Sequence, residues 1–385
     1  MTATWWKDDG DLVKEQLDIL DVPLDKNLLI KGPPGCGKTN LLLLRANHLY
    51  IADRPNINVV VFGSVLRQFI QLGGEVYKFP SSKIITHSRL FLDIIREFDM
   101  EFNEAGMGLT EIRDRRVEII EGLINAGKVG VVSQALLLDE SQDYTPREVS
   151  LISKLAENIT AACDSKQKIY EGDDSQPALE SVVDEVRELT FNFRNGKKIC
   201  RVADALMAGK PGYIPLFNTS HYDEAEYPSS VSYKSGLSIE AQVELVIEQV
   251  GLQRVAYPDE VIGVLCPKVD DVNSVTALLM KSELVDEVTR CGSQDFDSKK
   301  KIWVGTISSA KGLEFRALHL VGLDQLAAVG RGAQKRLAFT AVTRAKTALS
   351  LYWDAHVPGY LEAAVRTVVP TGKPVSRKML FGKGG

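Results

Sequence analysis

Residues 28–44 read Leu28-Leu-Ile-Lys-Gly-Pro-Pro-Gly-Cys-Gly-Lys-Thr-Asn-Leu-Leu-Leu-Leu44, and the rest of the chain is organised around them. Gly32 to Thr39 fits the pattern G-x-x-x-x-G-K-[ST]. The apolar run Leu28–Ile30 leads in as a buried parallel strand does, and Leu41–Leu44 leads out as a helix does. Gly32, Gly35 and Gly37 let the backbone approach an anion and turn its N–H groups inward, and the helix N-terminus adds partial positive charge. The expected cradle for a nucleoside triphosphate is Gly32, Pro33, Pro34, Gly35, Cys36, Gly37, Lys38, Thr39 and Asn40. In it Lys38 reaches the β- and γ-phosphates of ATP and the Thr39 hydroxyl holds Mg²⁺.

The chain has 385 residues, enough for two or three domains, and a formal net charge of −5, which argues against a large basic nucleic-acid footprint. It leaves room for a local groove that grips a strand through few charges and stacking. No apolar stretch approaches the ~18 residues needed to cross a membrane. The N-terminus shows no basic segment followed by an apolar core. Five scattered cysteines without a C-x-x-C pair fit a reducing compartment, so the expected location is the cytoplasm.

Residues 11–20 read as a short amphipathic helix, on which Gln16 is either a solvated side chain or an amide offered to a purine edge. Asn58–Phe62 and Lys83–Thr86 read as strands, Leu90–Phe98 and 101–128 as helices. Ala135-Leu-Leu-Leu-Asp-Glu-Ser-Gln-Asp143 is an apolar strand ending in acids. In a phosphate-loop protein, an Asp there holds Mg²⁺ and an adjacent Glu polarises the attacking water, which suits Asp139 and Glu140. Ile159–Asp164 is a further strand, and 209–230 a long polar loop. A second alternation follows: strands at Val231–Tyr233, Val261–Cys266, Lys301–Ile307, Ala317–Val321 and Ala348–Tyr352, with helices at Ser238–Val250, Val272–Lys281 and Gln334–Arg344. Two such series predict an α/β fold of two parallel-sheet domains with a cleft between them.

Several segments, in order, resemble motifs of superfamily 1 helicases of the UvrD/Rep/PcrA type. They are Gly32–Thr39, Asp139-Glu-Ser-Gln-Asp143, Cys163-Asp-Ser-Lys-Gln-Lys-Ile-Tyr170, Asn192-Phe-Arg194, Thr306-Ile-Ser-Ser-Ala-Lys-Gly-Leu-Glu-Phe315 and Phe339-Thr-Ala-Val-Thr-Arg-Ala-Lys346. Gln16 lies where the family's adenine-reading Gln precedes the loop, and Ile85-Thr-His-Ser88 is similar to its single-strand-contacting segment. The resemblance implies two RecA-like P-loop NTPase domains with the ATP site in the interdomain cleft: 1–180 ATP-binding, 181–358 helicase, and 359–385 a flexible tail. It implies that Arg194 and Arg344 meet the γ-phosphate when the domains close. Gln142 and Gln167 sense the γ-phosphate, and Glu314 bonds the ribose. Thr86, His87, Ser88, Tyr170 and Thr306 touch single-stranded DNA, or RNA as the other track.

Departures from the family pattern bear on function. Glu171-Gly-Asp-Asp174 stands where the family has an aromatic and arginines, Phe62-Gly-Ser-Val65 where it has T-F-T-N, and Ser308 where it has His. A stacked base is worth ~1–3 kcal/mol, so the strand grip is expected to be weaker. The short spans from Ser88 to Asp139 and from Arg194 to Thr306 leave no room for the family's two inserted subdomains. The resemblance therefore implies a minimal motor, an ATP-dependent 3′–5′ single-strand translocase or helicase. The alternative is an ATPase switch or sensor subunit serving a nuclease partner in DNA repair or phage defence.

Overall fold

The computed structural model describes residues 6–71, 76–100, 102–164, 174–328 and 331–369. Gln167 and Tyr170, expected at the γ-phosphate and the strand, lie outside them, as does the end of the expected tail from 370.

The first series runs α1 (Lys14–Leu20), β1 (Leu28–Lys31), α2 (Lys38–Ile51), β2 (Ile57–Val61), α3 (Ser64–Gln71), β3 (Ile84–Thr86) and α4 (His87–Glu97). It continues through α5 (Leu109–Asn125), β4 (Ser133–Leu138), α6 (Pro146–Leu155), β5 (Ala156–Cys163), α7 (Gln176–Ser181) and β6 (Glu185–Glu188). Its strands form a parallel sheet in the order β3-β2-β4-β5-β1-β6. The central strands β1, β2, β4 and β5 are buried along nearly their whole length, as strands of a parallel sheet are when both faces are covered.

The second series is α8 (Lys197–Met207), β7 (Ser230–Lys234), α9 (Ile239–Ala256), β8 (Ile262–Cys266), α10 (Val269–Leu279), β9 (Val288–Arg290) and β10 (Ile302–Thr306). It closes with β11 (Phe315–Leu320), α11 (Arg331–Val342), β12 (Ala345–Tyr352) and α12 (Gly359–Arg366). Its sheet, also wholly parallel, has the order β7-β12-β11-β8-β10-β9. The fold is thus two parallel-sheet α/β domains, as the alternation predicts, and RecA-like, as the resemblance implies.

Local chemistry accounts for where expected elements shift. The helix expected from Leu90 starts at His87 because the Thr86 hydroxyl accepts the Arg89 N–H at 3.2 Å, an N-cap. Two short strands carry no sequence signal. One is β6, a charged edge strand paired only with β1, so the first sheet extends past the boundary expected at 180. The other is β9, at the far edge of the second sheet. Within the stretch expected to be a tail, Gly359–Arg366 is a helix that buries Leu361, Ala364 and Val365.

One apolar core cluster is continuous across both domains. Phe69 of α3 meets Trp303 of β10 with ring centroids 5.9 Å apart, and a Cβ on Gly312 would stand 2.5 Å from a Leu66 methyl. The cleft is therefore floored by packed side chains rather than by solvent.

In β11 of the second sheet, fully buried His319 is held by the Tyr352 hydroxyl at 3.1 Å and the Gln253 amide at 2.9 Å. Burial pushes its pKa down to about 3, so the folded protein keeps it neutral. Unfolded, it gains a proton below ~6.5. A depressed histidine contributes stability that is complete above ~6.5 and is lost as pH falls. Between pH ~7.5 and ~5, this residue alone should cost about 2 kcal/mol. Urea midpoints of wild type and His319→Gln at the two pH values check this: the variant should show the smaller loss, and equal losses would refute the assignment.

Candidate active site

Parallel strands deliver their following loops to one edge, and ligands of open α/β sheets bind there. At that edge of the first sheet, β1 runs into the glycine-rich loop and β4 into Asp139 and Glu140, with β5 between them. Gly35 (φ 72°) and Gly37 (φ 93°) occupy the left-handed region that turns the loop around an empty centre. A Cβ at Gly37 would stand 2.6 Å from the Gln16 amide nitrogen, and one at Gly35 2.6 Å from the Asn192 side-chain oxygen. The backbone conformation disfavours a side chain at both positions, and at Gly35 the Arg194 Cβ, 2.6 Å from where a Cβ would stand, leaves no space either.

Lys38 opens α2 and curls back over the loop, donating to the carbonyls of Gly32 and Pro33 at 2.8 Å each. A phosphate would take over that ammonium. The Thr39 hydroxyl donates to Asp139 Oδ2 at 2.9 Å. Burial and the adjacent Glu140 carboxylate push Asp139 up to about 6, against the Thr39 hydrogen bond. A buried carboxylate beside a hydroxyl, with too little positive charge near it, is a donor set that fits Mg²⁺.

Glu140 sits in the left-handed region (φ 50°, ψ 40°), a conformation costing a non-glycine residue ~1–3 kcal/mol and found where function requires it. Burial works to raise its pKa, but Lys311, Arg344 and Lys38 outweigh it and hold the carboxylate below its ordinary range. Glu140 is thus kept ionised. Gln142 donates to Glu140 and accepts the Asp164 backbone N–H at 2.9 Å, so it ties the Glu140 carboxylate to the end of β5.

The second domain supplies the opposite wall. Arg194 pairs with Glu314 at 2.7 Å, and Lys346 lies 3.5 Å from the same carboxylate. Burial opposes ionisation of Glu314, but these two cations hold it down to about 2. Arg344 is fully buried and donates to the Leu313 carbonyl at 3.1 Å, and burial with the neighbouring Arg194 lowers it to about 10. One cavity is lined by Gln16, Lys38, Thr39, Asp139, Glu140, Arg194, Glu314 and Arg344 together, so the structure gathers most of the expected nucleotide set in one place. Gln16 already spends its amide on the Cys36 carbonyl at 3.0 Å, bracing the loop.

The expected strand contacts divide. Ser88 is exposed, and Thr86 and Thr306 are partly so. His87 is buried, 3.0 Å from Glu148 and packed against Phe62, Phe91 and Tyr144, so its imidazole faces the interior. The α4 helix turns it inward from its first residue.

Sequence reading assigned no role to Lys311 or Asp143. Lys311 reaches from the second domain into the first, bonding Asp143 and lying 3.7 Å from Glu140. Both stand inside motif segments already quoted, but nothing in either segment says that they meet.

A glycine-rich phosphate cradle and an acidic strand end on one RecA-like domain, facing two arginines on another, define a two-domain P-loop protein. Residues 301–352 match the family model described as UvrD-like helicase C-terminal domain. That match spans β10 to β12 of the second domain. The chain is similar to the C-terminal domain of a possible DNA helicase from Lactobacillus plantarum WCFS1, at 19% identity and TM-score 0.33, covering 44% of this chain and 91% of that one. It is also similar to the PRRSV helicase, at 17% identity and TM-score 0.43, covering 88% of this chain and 54% of that one. No curated protein matches it.

Proposed function

We propose that the chain is an ATP-dependent single-stranded DNA translocase or helicase, moving 3′ to 5′, in which ATP hydrolysis is coupled to closure of the two domains. The supporting observation is the single cavity that draws Lys38, Thr39, Asp139 and Glu140 from one domain and Arg194 and Arg344 from the other. Lys38 and the loop N–H groups bind the phosphates, and Thr39 and Asp139 hold Mg²⁺, which neutralises phosphate charge. Glu140 accepts the proton of the attacking water. Arg194 exchanges Glu314 for the γ-phosphate, where developing charge is stabilised. Loss of that phosphate returns Arg194 to Glu314 and loosens the cleft, shifting the grip on a strand.

ATP hydrolysis by the purified chain should rise several-fold with oligo-dT, and Lys38→Ala should remove it. No stimulation by any DNA or RNA would sink the motor reading. The inward-facing His87 favours a second reading, a nucleotide-dependent switch or sensor serving a nuclease partner. Unwinding of a tailed duplex by the isolated chain would exclude that reading.

A further inference from the structure

Between the two sheets the chain crosses as Leu189–Arg194, and the crossover touches the nucleotide cradle directly: the Phe193 N–H donates to the Gly35 carbonyl at 2.9 Å. One more contact fixes its start. The Glu15 carboxylate, from α1, accepts the Thr190 N–H at 3.1 Å, the Thr190 hydroxyl at 2.7 Å and the Phe191 N–H at 3.2 Å. The next residue on α1 is Gln16, bonded to the Cys36 carbonyl inside the loop. Thus one short helix grips the cradle with one side chain and the crossover carrying Arg194 with the next.

Thr190 is exposed, so water could satisfy its N–H without Glu15. Phe191 is half-buried rather than buried, so neither donor is sealed from water, and a contact this open contributes little to stability. What it supplies is direction, because three charge-assisted hydrogen bonds converge on one carboxylate.

We propose that Glu15 is a positioning residue that registers Arg194 against the phosphate loop. The inference rests on the hydrolysis reading above. Arg194 lies four residues beyond Thr190, and a small displacement of a charged group at a reacting phosphate is costly in rate rather than in binding. Nucleotide affinity comes from the loop and Lys38, which Glu15 does not touch.

Steady-state ATP hydrolysis at saturating oligo-dT tests this with Glu15→Ala, Glu15→Gln, Arg194→Ala and the Glu15→Ala/Arg194→Ala double variant. Glu15→Ala should lower kcat roughly tenfold or more, with half-saturation by ATP changed less than about threefold. Glu15→Gln, which keeps an acceptor oxygen, should fall between it and wild type. The double variant should be no slower than Arg194→Ala alone, a result that general loosening of the fold does not produce. Unchanged kcat in Glu15→Ala, or losses that multiply in the double variant, would overturn the proposal. A wild type that turns over no ATP overturns the hydrolysis reading instead, so the two failures are distinct.

Discussion

Replacing Glu140 by Gln is expected to stop nucleotide turnover while leaving nucleotide binding in place. The exchange is isosteric; it removes the negative charge and with it the ability to accept a proton from water. Lys311, Arg344 and Lys38 hold the wild-type carboxylate below its ordinary pKa, so at neutral pH it is ionised. Gln142 and the left-handed backbone at Glu140 fix its direction. Loss of a positioned general base costs roughly 10²–10⁴-fold in kcat. Lys38 and the loop contact Glu140 through no hydrogen bond, so affinity for a fluorescent ATP analogue should be near wild type. Turnover within tenfold of wild type would mean that another group activates the water.

The second large effect is on stability. Glu148 is fully buried at the start of α6, where it accepts the Thr145 N–H at 2.8 Å and completes a capping box. It also accepts from the Nε and Nη2 of Arg113 and lies 3.0 Å from His87. Burial works against its charge, but His87 and Arg113 hold its pKa far below the carboxylate range. Glu148→Ala strands a mostly buried guanidinium, and breaking a buried pair from one side costs ~3–5 kcal/mol. The urea midpoint should fall accordingly, and a loss below ~1 kcal/mol would show that Arg113 finds another partner. Arg113 also donates to the Asp143 carbonyl at 2.9 Å, and Lys311 bonds the Asp143 side chain. The damage should therefore reach the domain interface.

Much of the architecture was legible before any coordinates. The apolar runs of β1, β2, β4 and β5 are long enough to read as buried strands because both sheet faces are covered. The glycine-rich loop and the Asp139-Glu140 pair announce themselves because their chemistry needs those residue types at fixed local spacing. Arg194 and Arg344 came only through the resemblance, since an isolated arginine carries no such signal. The edge strands β6 and β9 did not read, being short and, in β6, charged: an edge strand is held by one neighbour's backbone rather than by side-chain burial. The inward turn of His87, the Lys311–Asp143 contact and the Glu15 clamp on Thr190 were equally hidden. Each joins residues far apart in the chain, so each exists only after strand order has set which loops are neighbours. Local pattern determined which groups this protein carries to the site; packing decided which of them face each other, because ion pairs and hydrogen bonds are selected by distance and not by sequence.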